Sequence, residues 1–232
     1  MTSLSAEWKT QVLEEGYGIV FDVFGAGRIA GLKLALESET HRRSRAGIRH
    51  LMSVPRVNEM AYSAELLSLA KEVVGKEAVP FRATLFDKSN SSNWLVAWHQ
   101  DTALPIRERR EIPGWGPWSV KDGVVYAHAP KEALERVIAL RLHLDDSDLD
   151  NGPLRVLPGT QKLGVLTDKE THRLSEEIVP VDCPVPAGGV VLMRPLIIHA
   201  SSKATSENSR RVLHIEYAES ARICTELEFA IA

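Results

Sequence analysis

Apolar positions recur at helical spacing in two stretches near the start of the chain, residues 5 to 15 and 27 to 39, and YGIVFDVF between them reads as a short strand. A further helix is expected through SAELLSLAKEVVG. HRRSRAGIRH, from His41 to His50, breaks the periodicity with Arg42, Arg43, Arg45 and Arg49, as a solvated loop would. From Val79 the period changes. VPFRATLFDK, WLVAWH, RVIALRLHL, VVLMR, LIIHA and RRVLHIEYA are short strand-like runs between segments rich in Gly, Pro, Asn and Asp, the pattern of an antiparallel sandwich or barrel. GWGPWSVKDG, Gly114 to Gly123, is expected to be a long ordered loop of the kind that forms lids.

Two of the runs alternate. In VIALRLHLDD, Ile138, Leu140, Leu142 and Leu144 share one face, and Arg141, His143 and Asp145 the other. In RRVLHIEYA, Arg210, Val212, His214 and Glu216 oppose Arg211, Leu213, Ile215 and Tyr217. Alternation alone leaves open whether the polar faces meet solvent or a polar interior.

The chain has 232 residues, 44% hydrophobic and 25% charged, enough for one domain with one sizeable core. A formal net charge of -3 and a pI near 6.3 argue against nucleic acid or an anionic membrane as partner, which leaves a small molecule. Cys183 and Cys224 form no disulfide framework, as expected in a reducing compartment. The first residues lack a signal-peptide core and no segment resembles a membrane span, so the expected location is cytoplasmic.

Chemistry enters with WHQD. His99 and Asp101, two apart in an extended segment, point to the same side and can aim a nitrogen and an oxygen at one cation. A third ligand would complete the two-histidine, one-carboxylate set that leaves positions open on Fe(II). His-x-Asp by itself is common. Among the other histidines, His41, His50 and His172 sit among charged residues and read as surface. His199 ends the apolar run VVLMRPLIIH before the small residues Ala200, Ser201 and Ser202, and is the best-placed third ligand. His143 and His214 can be cavity-lining or simply buried and satisfied.

WHQD, NGPLRVLPGTQK (Asn151 to Lys162), His199-x-Ser201 and an arginine eleven residues after His199 follow one another in an order and spacing that resemble the phytanoyl-CoA dioxygenase family. That family includes ectoine hydroxylase and comprises Fe(II)- and 2-oxoglutarate-dependent oxygenases. The resemblance runs from about Thr84 to Ala218. It implies a mainly β fold with flanking helices: a double-stranded β-helix, the jelly-roll or cupin-like core, over about 79–218, with N-terminal helices over about 1–75 packed on it.

It further implies that His99, Asp101 and His199 are the catalytic iron ligands and that Arg210 binds the distal carboxylate of 2-oxoglutarate, which suits a planar guanidinium. Ser201 and Thr84 fall at further co-substrate contacts, and Arg49 aligns loosely with a family lysine near the co-substrate. The implied reaction hydroxylates an unactivated C–H bond of a free small molecule with O2, turning 2-oxoglutarate into succinate and CO2, with ascorbate as a support. Asp101 stands where related halogenases have a small residue, which favours hydroxylation. Arg141 replaces a tryptophan of some members, and Gln161 the histidine of PGTHK. Candidates for substrate contact are Trp115, Trp118, Lys121, His128 and Arg141, although the tryptophans can equally cap the barrel. Two rivals remain: a non-catalytic β-helix sensor of a metabolite or metal, and a cupin-like metalloenzyme that uses no 2-oxoglutarate.

Overall fold

The computed structural model describes residues 4–39, 47–89 and 92–232; His41, Arg42, Arg43 and Arg45 of the basic run lie outside the described residues. The chain opens with α1 (Leu4–Glu15), β1 (Tyr17–Val20) and α2 (Ala26–Glu37), close to the periodicity read from the sequence. β1 is shorter than YGIVFDVF suggested, and Asp22 beyond it takes a left-handed φ of 53°. Two helices follow, α3 (Pro55–Ala61) and α4 (Ala64–Val74). α3 starts on a proline at its first turn. In α4, the Ser63 hydroxyl caps the start by accepting from the Leu66 N–H, and Gly75 with φ 107° ends it.

The strands are β2 (Val79–Lys88), β3 (Val96–His99), β4 (Ala103–Ile106), β5 (Trp118–Lys121) and β6 (Val124–His128), then, after the one-turn α5 (Lys131–Leu134), β7 (Val137–His143) and β8 (Leu154–Leu157). α6 (Asp168–Glu177) precedes β9 (Val181–Cys183), β10 (Val190–Met193), β11 (Ile198–Ser201) and β12 (Arg210–Ala218). α6 carries a capping box, in which Thr167 and Glu170 satisfy each other's backbone N–H groups.

Two antiparallel sheets form the core, one in the order β1-β10-β7-β12-β2 and the other β3-β11-β8-β9, making a double-stranded β-helix. Between them pack Ala139, Leu154, Val156, Cys183, Val191 and Met193. Burial pushes the Cys183 thiol up to about 12, so it stays protonated and inert. The outer face of the larger sheet presents Ile138, Leu140, Leu142, Leu213 and Ile215 to the helices, where they meet Leu32, Leu51, Val57 and Leu66. Each such side chain taken from water contributes about 1.5–3 kcal/mol.

The alternation is thereby resolved. Leucines of β7 and β12 face the helices, and Arg141, His143, Arg210, His214 and Glu216 face inward and are all buried. Opposite residues of an antiparallel pair share a face, so the register His214↔Arg141 and His214↔Thr84 places three polar side chains side by side inside the barrel.

A third, smaller sheet, β4-β6-β5, flanks this core. The stretch expected to be one long loop contains β5, and a two-residue turn joins it to β6. Asp122 and Gly123 supply that turn with φ of 48° and 82°, the paired positive values that suit the twist of a hairpin. No helix among the described residues is long and apolar enough to cross a membrane.

Candidate active site

His99 ends β3 directly opposite His199 of β11, with ring centroids 4.2 Å apart. Asp101 lies just past β3, held by its backbone N–H donating to the Pro195 carbonyl at 2.9 Å. Gln100 between them points the other way. Its amide donates to the carbonyls of Gly164 (2.9 Å) and Leu196 (2.7 Å) and accepts from the Leu166 N–H (2.8 Å), which anchors the segment that carries His99 and Asp101.

Both imidazoles are held in one tautomer. Nδ1 of His99 lies 2.8 Å from the Ala97 carbonyl and Nδ1 of His199 lies 3.0 Å from that of Ile197, so each carries its proton on Nδ1 and keeps a bare lone pair on Nε2. Those Nε2 atoms sit 3.8 Å and 3.5 Å from the Asp101 carboxylate oxygens, and the three ligand atoms all lie within 4.8 Å of one another. Two neutral nitrogens and a carboxylate fit a divalent iron-type ion with open positions.

The electrostatics favour that state. Burial would raise the Asp101 pKa, but His199, His99, His214 and Arg82 outweigh it and hold the carboxyl below the usual carboxylate range. His199 is pushed down to about 4, chiefly by burial and then by His99, so its ring is neutral at pH 7.

One cavity joins this cluster to a buried cation. Phe86, Trp94, Val96 and Leu154 give it apolar walls, and His99, Asp101, His199, Ser201, Arg141 and Arg210 line it as well. Arg210 is 3% exposed; its Nη2 donates to Ser201 Oγ at 3.3 Å, while Nε and Nη1 have no partner among the described residues. Arg141, also buried, lies 3.1 Å from His214 Nδ1, stacks over Phe86 and leaves its own Nε unmatched. A buried guanidinium with unused donors is costly unless something anionic meets it.

The other candidate residues are distributed more widely. Thr84 lies on β2 opposite His214. Arg49 stands apart from the cavity, 3.9 Å from Asp122 at the tip of the β5–β6 hairpin. Lys121 lies over the Tyr126 ring at 4.8 Å, and His128 Nδ1 is 2.7 Å from Thr102 Oγ1. Trp115 and Trp118 pack against the apolar cluster around Leu104 and Phe229. Gln161 turns away from the site and donates to the Glu14 carbonyl at 3.1 Å. His50, expected on the surface, is half-buried, with Nε2 2.9 Å from the Tyr126 hydroxyl.

Sequence reasoning missed Lys88 and the Arg82–Glu216 pair. Both are charged residues inside strands, and strand parity puts them on the inward row with Thr84 and His214. That parity was the available signal.

The fold and this cluster define a double-stranded β-helix protein with a facial two-histidine, one-carboxylate cluster able to hold a metal. The chain belongs to the phytanoyl-CoA dioxygenase (PhyH) family, whose sequence model matches residues 13–212. It is 28% identical over 178 residues to the L-proline trans-4-hydroxylase of Streptomyces griseoviridis, a match that covers 66% of this chain and 59% of that protein's length. Among solved structures it is similar to AviO1 from Streptomyces viridochromogenes Tue57, with TM-score 0.68, 23% identity and coverage of 92% of this chain and 94% of that one. It is also similar to EctD from S. alaskensis, solved with 2-oxoglutarate and 5-hydroxyectoine, with TM-score 0.71, 20% identity and coverage of 93% and 76%.

Proposed function

We propose that this protein is an Fe(II)- and 2-oxoglutarate-dependent dioxygenase, built as a single domain, that hydroxylates a C–H bond of a free small molecule. The observation that carries the reading is the shared cavity: three converging metal-type ligands at one end and, within the same walls, a buried arginine whose Nε and Nη1 have no partner among the described residues. Its relative that hydroxylates L-proline and the EctD complex with 2-oxoglutarate support the same chemistry. When bound, iron with 2-oxoglutarate would supply the oxidant for hydroxylation: as 2-oxoglutarate is decarboxylated to succinate and CO2, one atom of O2 ends in succinate and the other in the hydroxylated substrate.

The protein's own part is positional. His99, Asp101 and His199 hold the metal through Nε2, a carboxylate oxygen and Nε2, with the Ala97 and Ile197 carbonyls fixing both rings. Arg210 grips the distal carboxylate, for which its unpaired Nε and Nη1 are suited. Phe86, Trp94, Val96 and Leu154 exclude water and so strengthen that ion pair. Arg141 lines the same cavity and Thr84 lies opposite His214 on the inward row of β2, while Lys121, His128 and Trp118 of the flanking β4-β6-β5 sheet, with Trp115 just before it, are our candidates for meeting the substrate.

The direct test is metal content and co-substrate consumption in parallel. Purified wild-type protein is expected to bind one Fe(II) and to convert 2-oxoglutarate to succinate, and His199→Ala is expected to lose both. Full iron occupancy in His199→Ala would refute the ligand set.

A further inference from the structure

The inward row of β2 carries a cation near each end. Lys88 closes one end, where its amine donates to Ser201 Oγ at 2.7 Å beside its register partner Arg210. Arg82 stands six residues earlier on the same row, about 20 Å away along an extended strand. Its guanidinium is held by Glu216, and Nη1 donates to the Ala103 carbonyl at 3.1 Å, two residues past Asp101. Arg210 and Arg82 therefore stand at opposite ends of the barrel's polar row.

The small sheet β4-β6-β5 brings a further cation to the Arg82 end. Opposite residues of an antiparallel pair share a face, so the registers Pro105↔Tyr126, Ser119↔Tyr126 and Lys121↔Val124 put Pro105, Ser119, Lys121, Val124 and Tyr126 on one side. Leu104, Ile106, Trp118 and Ala127 turn the other way, into the apolar cluster around Phe81 and Phe229. The first side meets polar groups. Tyr126 is 2% exposed, its hydroxyl lies 2.9 Å from His50 Nε2, and both Arg82 (5.6 Å) and Lys121 (4.8 Å) lie over its ring.

Positive charge is in surplus here. Glu216 neutralises Arg82 and Asp122 lies 3.9 Å from Arg49, whereas Lys121 has no carboxylate at ion-pair distance among the described residues. Burial, Arg82 and Arg49 push its amine below the ordinary lysine range, and the more distant Asp101 offsets this only in part. A bound divalent metal would engage the Asp101 charge and leave Lys121 still more in need of an anion. One uncompensated ammonium matches a monoanionic carboxylate, which accepts charge-assisted hydrogen bonds, and falls short of a dianionic phosphate.

We propose that Lys121 binds the carboxylate of the substrate, seated beside the Tyr126 ring, so that the enzyme hydroxylates small organic acids held at the end of the barrel opposite Arg210. The inference deepens the dioxygenase reading above and rests on it.

The test uses cobalt(II)-loaded protein saturated with 2-oxoglutarate and measures, by calorimetry, the affinity of a panel of aliphatic, cyclic and aromatic monocarboxylic acids, amino acids included, each beside its primary amide. At least one acid is expected to bind at least about tenfold tighter than its amide, the worth of a charge-assisted contact. Lys121→Met should bring that acid to within about twofold of its amide and Lys121→Arg should restore the preference, with 2-oxoglutarate affinity within about twofold of wild type in both. No acid preference anywhere in the panel, a preference that survives Lys121→Met, or a parallel loss of 2-oxoglutarate affinity overturns the inference. Should Lys121→Met not fold, Lys121→Gln gives the same contrast. If 2-oxoglutarate itself does not bind the cobalt(II) protein, the co-substrate reading fails and this inference with it; if it binds and the acids show no preference, only the role of Lys121 fails.

Discussion

Mild acid should destabilise the metal-free protein before its carboxylates titrate. His143, His199 and His214 are all buried inside the barrel, and among the described residues His143 has no hydrogen-bond partner on either nitrogen. Burial, then the neighbouring Arg141 and Arg210, hold His143 well below the ordinary imidazole value of 6.5. Burial and Arg141 do the same for His214, and His199 falls to about 4. A folded-state pKa below the unfolded one means that the unfolded chain takes up the proton first. The associated stability is complete above pH 6.5 and is lost as pH falls toward the folded value. Each pH unit in that window costs at most about 1.4 kcal/mol per histidine, so for His199, whose folded value is about 4, moving from pH 6.5 to 5 costs up to about 2 kcal/mol, and His143 and His214 add losses of the same sign. That is a sizeable part of the stability of an ordinary domain, roughly 5–15 kcal/mol. Two other sets of groups stay silent in this interval. Lys88, depressed from 10.5 to about 7, gives up its share as pH falls from 10.5 to about 7 and changes no further below that, and the lowered Asp101 and Asp145 lose theirs only below their ordinary 3.8. Urea denaturation of metal-free protein at pH 7 and pH 5 measures the difference, and His143→Phe should reduce it. An equal loss in His143→Phe and wild type would refute the reasoning.

Asp101→Ala should abolish hydroxylation while the apoprotein remains folded, as judged by circular dichroism and product analysis. Glu216→Gln strips the partner from Arg82, in a pair whose side chains are 1% and 14% exposed; the loss of about 3–5 kcal/mol corresponds to a fall in Tm of about 6–20 °C by calorimetry. A fall of under about 3 °C would show that the pair contributes little. Gly152→Ala forces a side chain into a left-handed backbone beside Ser202 and Lys88, and should lower Tm by about 2–8 °C and weaken 2-oxoglutarate binding together.

The strands with strong alternation were legible in the sequence: VPFRATLFDK and RRVLHIEYA became β2 and β12 with the same ends. The side to which their polar residues turned was not. That depended on α1 to α4 covering the leucine face, a long-range fact that no local period contains. β5 was hidden in GWGPWSVKDG because glycines and a proline precede it and only Asp122-Gly123 marks its turn. α6 escaped because DKETHRLSEE buries only Thr171 and Leu174. His99 and Asp101 could be paired from their spacing, and His199 from the apolar run before it. Strand parity put Lys88 in the row of Thr84, but its burial was harder to read, since a lysine at a strand end ordinarily meets water and the groups it meets, Ser201, Ser202 and Trp94, come from elsewhere in the chain.

The central claim, that this cavity couples 2-oxoglutarate and O2 at a metal held by His99, Asp101 and His199, is tested most directly by isotope. Iron-loaded protein is supplied with 2-oxoglutarate, ascorbate and isotopically heavy O2 across a panel of small-molecule substrates, and the succinate is analysed by mass spectrometry. The expected result is succinate carrying one heavy oxygen atom, formed by wild type and absent with Asp101→Ala. Protein that holds iron but yields no succinate, or succinate without the label, would contradict it.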